Sequence, residues 1–72
     1  MSNQLSEIMF VVEEADDGSY RASAVGESIY TEADNLENLH SEIRDAVQCH
    51  FEDGKTPALI RLHHVWQELL AL

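Results

Sequence analysis

The chain has 72 residues, 44% of them hydrophobic, which is enough apolar material for one small domain and too little for two. Fourteen Asp and Glu against four Lys and Arg give a formal net charge of -10, a balance that repels nucleic-acid phosphates and attracts basic surfaces. Direct DNA or RNA binding and membrane insertion are therefore not expected: no apolar run approaches the ~20 residues of a bilayer span, and no basic segment precedes an apolar core as in a signal peptide. The single cysteine, Cys49, excludes an internal disulfide framework, and the chain reads as reduced and cytoplasmic.

In chain order, the first six residues precede the patterned region and are expected to be disordered. EIMFVVEE (residues 7–14) alternates Ile8, Phe10 and Val12 against Met9, Val11 and Glu13, which predicts a strand with at least one buried face. ADDGS follows, with Asp17-Gly18 supplying turn chemistry, and YRASAV then alternates Tyr20, Ala22 and Ala24 against Arg21, Ser23 and Val25. A hairpin results, and SIYT begins a third short strand that completes an antiparallel meander.

DNLENLHSEIRDAVQCHFEDG changes period. Asp34 and Glu37 form a capping pair at its start, Leu36, Leu39, Ile43 and Val47 recur at helical spacing as a core stripe, and Gly54 is the predicted stop. One amphipathic helix packed on one sheet face is expected. ALIRLHHV then reads as a fourth strand. Continued to Ala71 it would run roughly 45 Å at about 3.3 Å per residue, against a radius of gyration near ~11 Å for a globule of this length. A tail, residues 65–72, that extended the last strand would overhang its own domain, so it must bend, fold into a helical turn, or pair with another molecule and mediate oligomerisation.

The cluster Glu13, Glu14, Asp16 and Asp17 serves first as a solvated turn, and second as a rim facing a basic partner; its placement at a strand end gives no paired-carboxylate metal site. His40, His50, His63, His64 and Cys49 do not converge either. Cys49 and His50 point about 100° apart on a helix, and His63 and His64 point to opposite sheet faces. His50 is expected at the helix-sheet seam or on the last helical carbonyls, and Cys49 as a buried or half-buried inert thiol. No cofactor, metal ligand or catalytic constellation is predicted. Trp66, with Leu69, Leu70 and Leu72 behind it, either completes the core or anchors a dimer or partner interface.

Two pieces of sequence carry a resemblance that spans most of the chain: Asp17-Gly18-x-Tyr20-x-Ala22 in the first hairpin, then Thr31-x-x-Asp34-x-x-Glu37 at the entry to the helix, with PALIRLHH as the returning strand. In this order and spacing they resemble the HicB-like antitoxin family. The resemblance implies an α+β domain of β-β-β-α-β order, a truncated ribonuclease-H-like fold in which strand four returns parallel to strand one through a right-handed crossover. It further implies a non-enzymatic inhibitor that masks the active site of a small basic HicA-type toxin that cleaves messenger RNA. Many such relatives add a C-terminal DNA-binding module, and this sequence has none before Leu72, so direct operator binding is not expected. The alternative is a HicB-like domain with no toxin partner that acts as a homodimeric or higher homo-oligomeric interaction module.

Overall fold

The computed structural model describes residues 6–72. Four strands and a helix follow in the order β1 (Glu7–Glu14), β2 (Tyr20–Ala24), β3 (Tyr30–Ala33), α1 (Leu36–His50) and β4 (Leu59–Val65). They form one sheet of order β3-β2-β1-β4, with β1 antiparallel to β2 and parallel to β4. This is the α+β arrangement expected: a three-stranded meander, a fourth strand parallel to the first, and one helix.

Alternation in β1 decides which face is core. Ile8, Phe10 and Val12 are buried, and the register sets Val12 opposite Ala22, Phe10 opposite Ala24, and Ile8 and Phe10 opposite Ile60 and Leu62. One turn of helix apart, Leu39, Ile43 and Val47 descend onto this face and close the core with Ala22 and Ile29. The other sheet face has no layer over it and exposes Met9, Tyr30 and Leu59.

The hairpin is closed by local polar chemistry. The Asp17 carboxylate accepts from the Ser19 amide at 3.0 Å and from its hydroxyl at 2.7 Å, while Gly18, at φ +89°, donates its N–H to the Ala15 carbonyl at 3.0 Å. Only glycine takes that backbone geometry without a Cβ penalty. At the other end of the sheet the Ser6 carbonyl accepts from the amides of both Ala58 and Leu59 at 3.1 Å, so Ser6 is fixed to the start of β4. The remainder of the expected N-terminal disorder concerns residues 1–5, outside those described.

Three helix expectations are corrected. The N-cap is Asn35, not Asp34: its backbone is extended and its Oδ1 accepts the Asn38 amide at 2.7 Å. Asp34 stands one residue before the cap. Leu36, placed by this shift in the first turn rather than beneath it, is 36% exposed and is not core. At the far end the helix stops at Phe51, whose backbone turns extended so that its half-buried ring packs against the core. Gly54 does not end the helix. It has φ +81° in the following turn, where the Lys55 amide donates to the Glu52 carbonyl, the geometry of a type II turn.

From β3 at one edge, α1 carries the chain over the sheet to β4 at the other, packing across β2 and β3. A groove remains between α1 and β4, about 290 Å³ in volume, floored by Ile60 and Leu62 and flanked by His40, Ile43 and Arg44. β4 ends at Val65, and residues 66–72 form neither strand nor helix. They project: the radius of gyration is 14.3 Å and the longest dimension 56 Å, against about 11 Å for a compact chain of this length.

Candidate functional site

Parallel pairing of β1 and β4 sends both strands out of the sheet at the same end. Glu13 lies opposite Val65, so the acidic end of β1 and the start of the C-terminal arm become neighbours although 52 residues separate them in sequence. The β1–β2 turn and the first turn of α1 emerge at that end as well. Between them is a cleft of about 830 Å³ lined by Glu13, Glu14 and Asp16, by Tyr20, Arg21 and Leu36, and by His64, Val65, Trp66, Gln67 and Leu69.

Four of the five residues singled out from the sequence therefore meet in one place: Glu13, Glu14, Asp16 and Trp66. Asp17 does not line the cleft. Its carboxylate is spent on Ser19, and the hydroxyl hydrogen bond, followed by the Ser19 amide, holds its pKa below the usual aspartate value. It is a turn residue. The solvated-turn reading thus fits Asp17, whereas Glu13, Glu14 and Asp16 are exposed without hydrogen-bond partners among the described residues.

Trp66 does not complete the core. It is 80% exposed, and Leu69 and Leu70 are 100% and 86% exposed, so the arm holds large apolar side chains in solvent. Leu36 and Leu69 add apolar walls to the acidic rim. The sequence marks neither as a cleft residue: Leu36 fits the helical stripe, and nothing in a linear pattern brings a C-terminal leucine to a β1 carboxylate.

The histidines and the cysteine stay apart. His50 does not reach the helix-sheet seam or the last carbonyls. Its Nε2 lies 3.1 Å from Glu27 Oε1, and its ring stands edge-on to Phe51 with centroids 5.0 Å apart. Cys49 is exposed rather than buried, because it follows Val47 by two positions and so falls on the solvent side of α1. Among the described residues no three His, Cys, Asp or Glu side chains converge as a cation would need. Arg61 pairs with Glu7 through both guanidinium and carboxylate faces, Nη2 to Oε1 at 3.1 Å, and this hydrogen-bonded pairing lowers the Glu7 pKa and raises that of Arg61. No helix among the described residues is long and apolar enough to cross a membrane.

The cleft is of mixed character: the Glu13, Glu14 and Asp16 carboxylates and the Arg21 guanidinium share it with the apolar side chains of Leu36, Val65, Trp66 and Leu69. The chain belongs to the UPF0150 family. It is 54% identical over 52 residues to a UPF0150 protein of Archaeoglobus fulgidus, a match covering 72% of this chain and 77% of that protein. It is 44% identical over 48 residues to a UPF0150 protein of Thermotoga maritima, covering 67% and 69%. No family model matches the chain, and no solved structure matches it.

Proposed function

We propose that this protein is a HicB-like antitoxin, a truncated ribonuclease-H-like domain that binds a small basic toxin of the HicA type and covers its active site. The observation that supports this reading is the cleft that Glu13, Glu14 and Asp16 line together with Leu36, Trp66 and Leu69, three carboxylates against the one guanidinium of Arg21. A ribonuclease must carry a cationic patch for phosphates, and a partner that offers carboxylates to that patch and an apolar wall to its surroundings competes with RNA for the same charges. With a net charge of -10, the whole domain adds a long-range attraction for such a partner. The protein in this reading is not an enzyme, needs no cofactor, binds neither nucleic acid nor membrane directly, and works in the cytoplasm.

The test is co-expression with the small basic protein encoded beside it, read by growth rescue and by light scattering on the purified material. Rescue and a stable complex are expected. Glu13→Lys/Glu14→Lys should abolish rescue while leaving the fold intact, since both side chains are exposed. Full rescue by that variant would remove these acids from the interface, and no complex at all would sink the reading. The exposed apolar arm favours a second reading, in which the domain is a homo-oligomeric interaction module without a toxin.

A further inference from the structure

We infer that the outer edge of β4 and the arm that follows it form a two-fold interface with a second copy of this chain, in which each arm enters the other copy's groove between α1 and β4. This inference does not depend on the toxin reading. β4 is an edge strand of seven residues without a proline, so its outer N–H and C=O groups offer a template for another strand. Two copies related by an axis normal to the sheet pair such edges antiparallel. The register that engages all of Leu59–Val65 places the axis at Leu62 and sets Val65 opposite Leu59.

That register decides where the arm goes. The next residue, Trp66, falls opposite Ala58, and residues directly opposite in an antiparallel pair share a sheet face. Ile60 and Leu62 face the helix side, since they pair with Ile8 and Phe10; once the arm is drawn into the pairing as an extended continuation of β4, its even-numbered residues Trp66, Glu68, Leu70 and Leu72 fall on that side. Ala58 borders the groove floored by Ile60 and Leu62. The partner's Trp66 indole therefore enters an apolar slot that its own chain leaves unfilled.

Charge agrees with this occupant. On a protein with only four Lys and Arg, the groove is flanked by Arg44, which has no ion-pair partner among the described residues, and by His40. Glu68 lies two residues beyond Trp66 on the same side, about 7 Å along the chain, within reach of that guanidinium. The arm alternates large apolar side chains with one carboxylate, and the groove offers an apolar floor with one free cation. A single chain cannot satisfy both, because its own arm leaves the sheet at the end opposite Ala58. Burial of Trp66, which is 80% exposed in the monomer, would then follow from association.

Because Trp66 is the sole tryptophan, the full chain reports on its own arm. Sedimentation and Trp emission are measured together from micromolar to millimolar protein. The expected result is a monomer-dimer equilibrium, with emission moving to shorter wavelength as the dimer forms. Trp66→Ala/Leu70→Ala removes side chains outside the core, so far-UV circular dichroism should stay unchanged while association weakens by about 30-fold or more, the scale of an interface hot spot. Arg44→Glu and Glu68→Arg should each weaken the dimer, and R44E/E68R together should restore it. A chain that stays monomeric with a solvent-exposed Trp throughout overturns the inference. So does a dimer that survives Trp66→Ala/Leu70→Ala, an open-ended oligomer, or charge reversals that neither weaken nor rescue each other.

Discussion

Replacing Asn35 by Ala removes the N-cap side chain of α1, and it separates two accounts of how the helix begins. The Asn35 side-chain Oδ1 accepts the Asn38 amide at 2.7 Å, satisfying one of the orphan N–H groups of the first turn. Loss of such a cap costs about 1 kcal/mol, within a range of about 0.5–2. Against a total stability of roughly 4–11 kcal/mol for a domain of this size, that is a visible fraction, and it lowers Tm by about 4–8 °C. Asp34→Ala touches no amide. It removes only a carboxylate near the positive end of the helix dipole, worth about 0.3–1 kcal/mol at low salt and screened at high salt. Urea unfolding of the three proteins in low salt and in about 1 M salt, where the Debye length is ~3 Å, separates the two terms. The Asn35→Ala loss should persist in both buffers, and the Asp34→Ala loss should shrink toward zero in the second. A larger and salt-independent loss for Asp34→Ala would show that Asp34, not Asn35, is the cap.

Other outcomes follow from the core and the hairpin. Phe10→Ala empties the centre of the core, where the ring is fully buried, and should cost about 3–5 kcal/mol, enough to unfold much of the population at 25 °C by circular dichroism. Gly18→Ala meets no neighbour within 4 Å, so its cost is backbone strain alone, about 1–2 kcal/mol by thermal melting; a neutral result would mean that the turn relaxes to negative φ. For pH, the Asp17 carboxyl is held low by the Ser19 hydroxyl and amide. A depressed folded-state pKa contributes stability that is present above the ordinary aspartate range and lost as pH falls through the lowered value. Ser19→Ala should move the Asp17 titration, followed by NMR, upward toward the ordinary value, and an unchanged midpoint would remove the hydroxyl as its main cause.

Much of this architecture is legible in the linear pattern because it depends on local chemistry. Period-two alternation in EIMFVVEE, the Asp17-Gly18 turn, and the spacing of Leu39, Ile43 and Val47 each report a backbone preference that neighbours a few residues away can enforce. Those elements lie where the pattern puts them. The misreadings cluster at boundaries. Asp34 and Asn35 are both competent caps, and only the packing of Leu39 onto β1–β2 sets the helical phase that makes Asn35 the residue before the first turn. The same phase turns Leu36 and Cys49 outward. Gly54 looked like a helix stop because glycine suits any positive φ, while the core's demand for Phe51 ended the helix three residues earlier.

The candidate site divides in the same way. Sequence by itself determined that the protein is acidic, that carboxylates crowd the end of β1, and that one tryptophan stands in an apolar tail. The parallel return of β4 beside β1 is implied by the family resemblance, but only the tertiary structure decided the register that puts Glu13 opposite Val65, since no periodicity records a pairing across 52 residues. It also decided which acid was taken. Asp17 is committed to Ser19 within its own turn, while Glu13, Glu14 and Asp16 keep their charges free at the rim of a cleft whose apolar wall arrives from the other end of the chain.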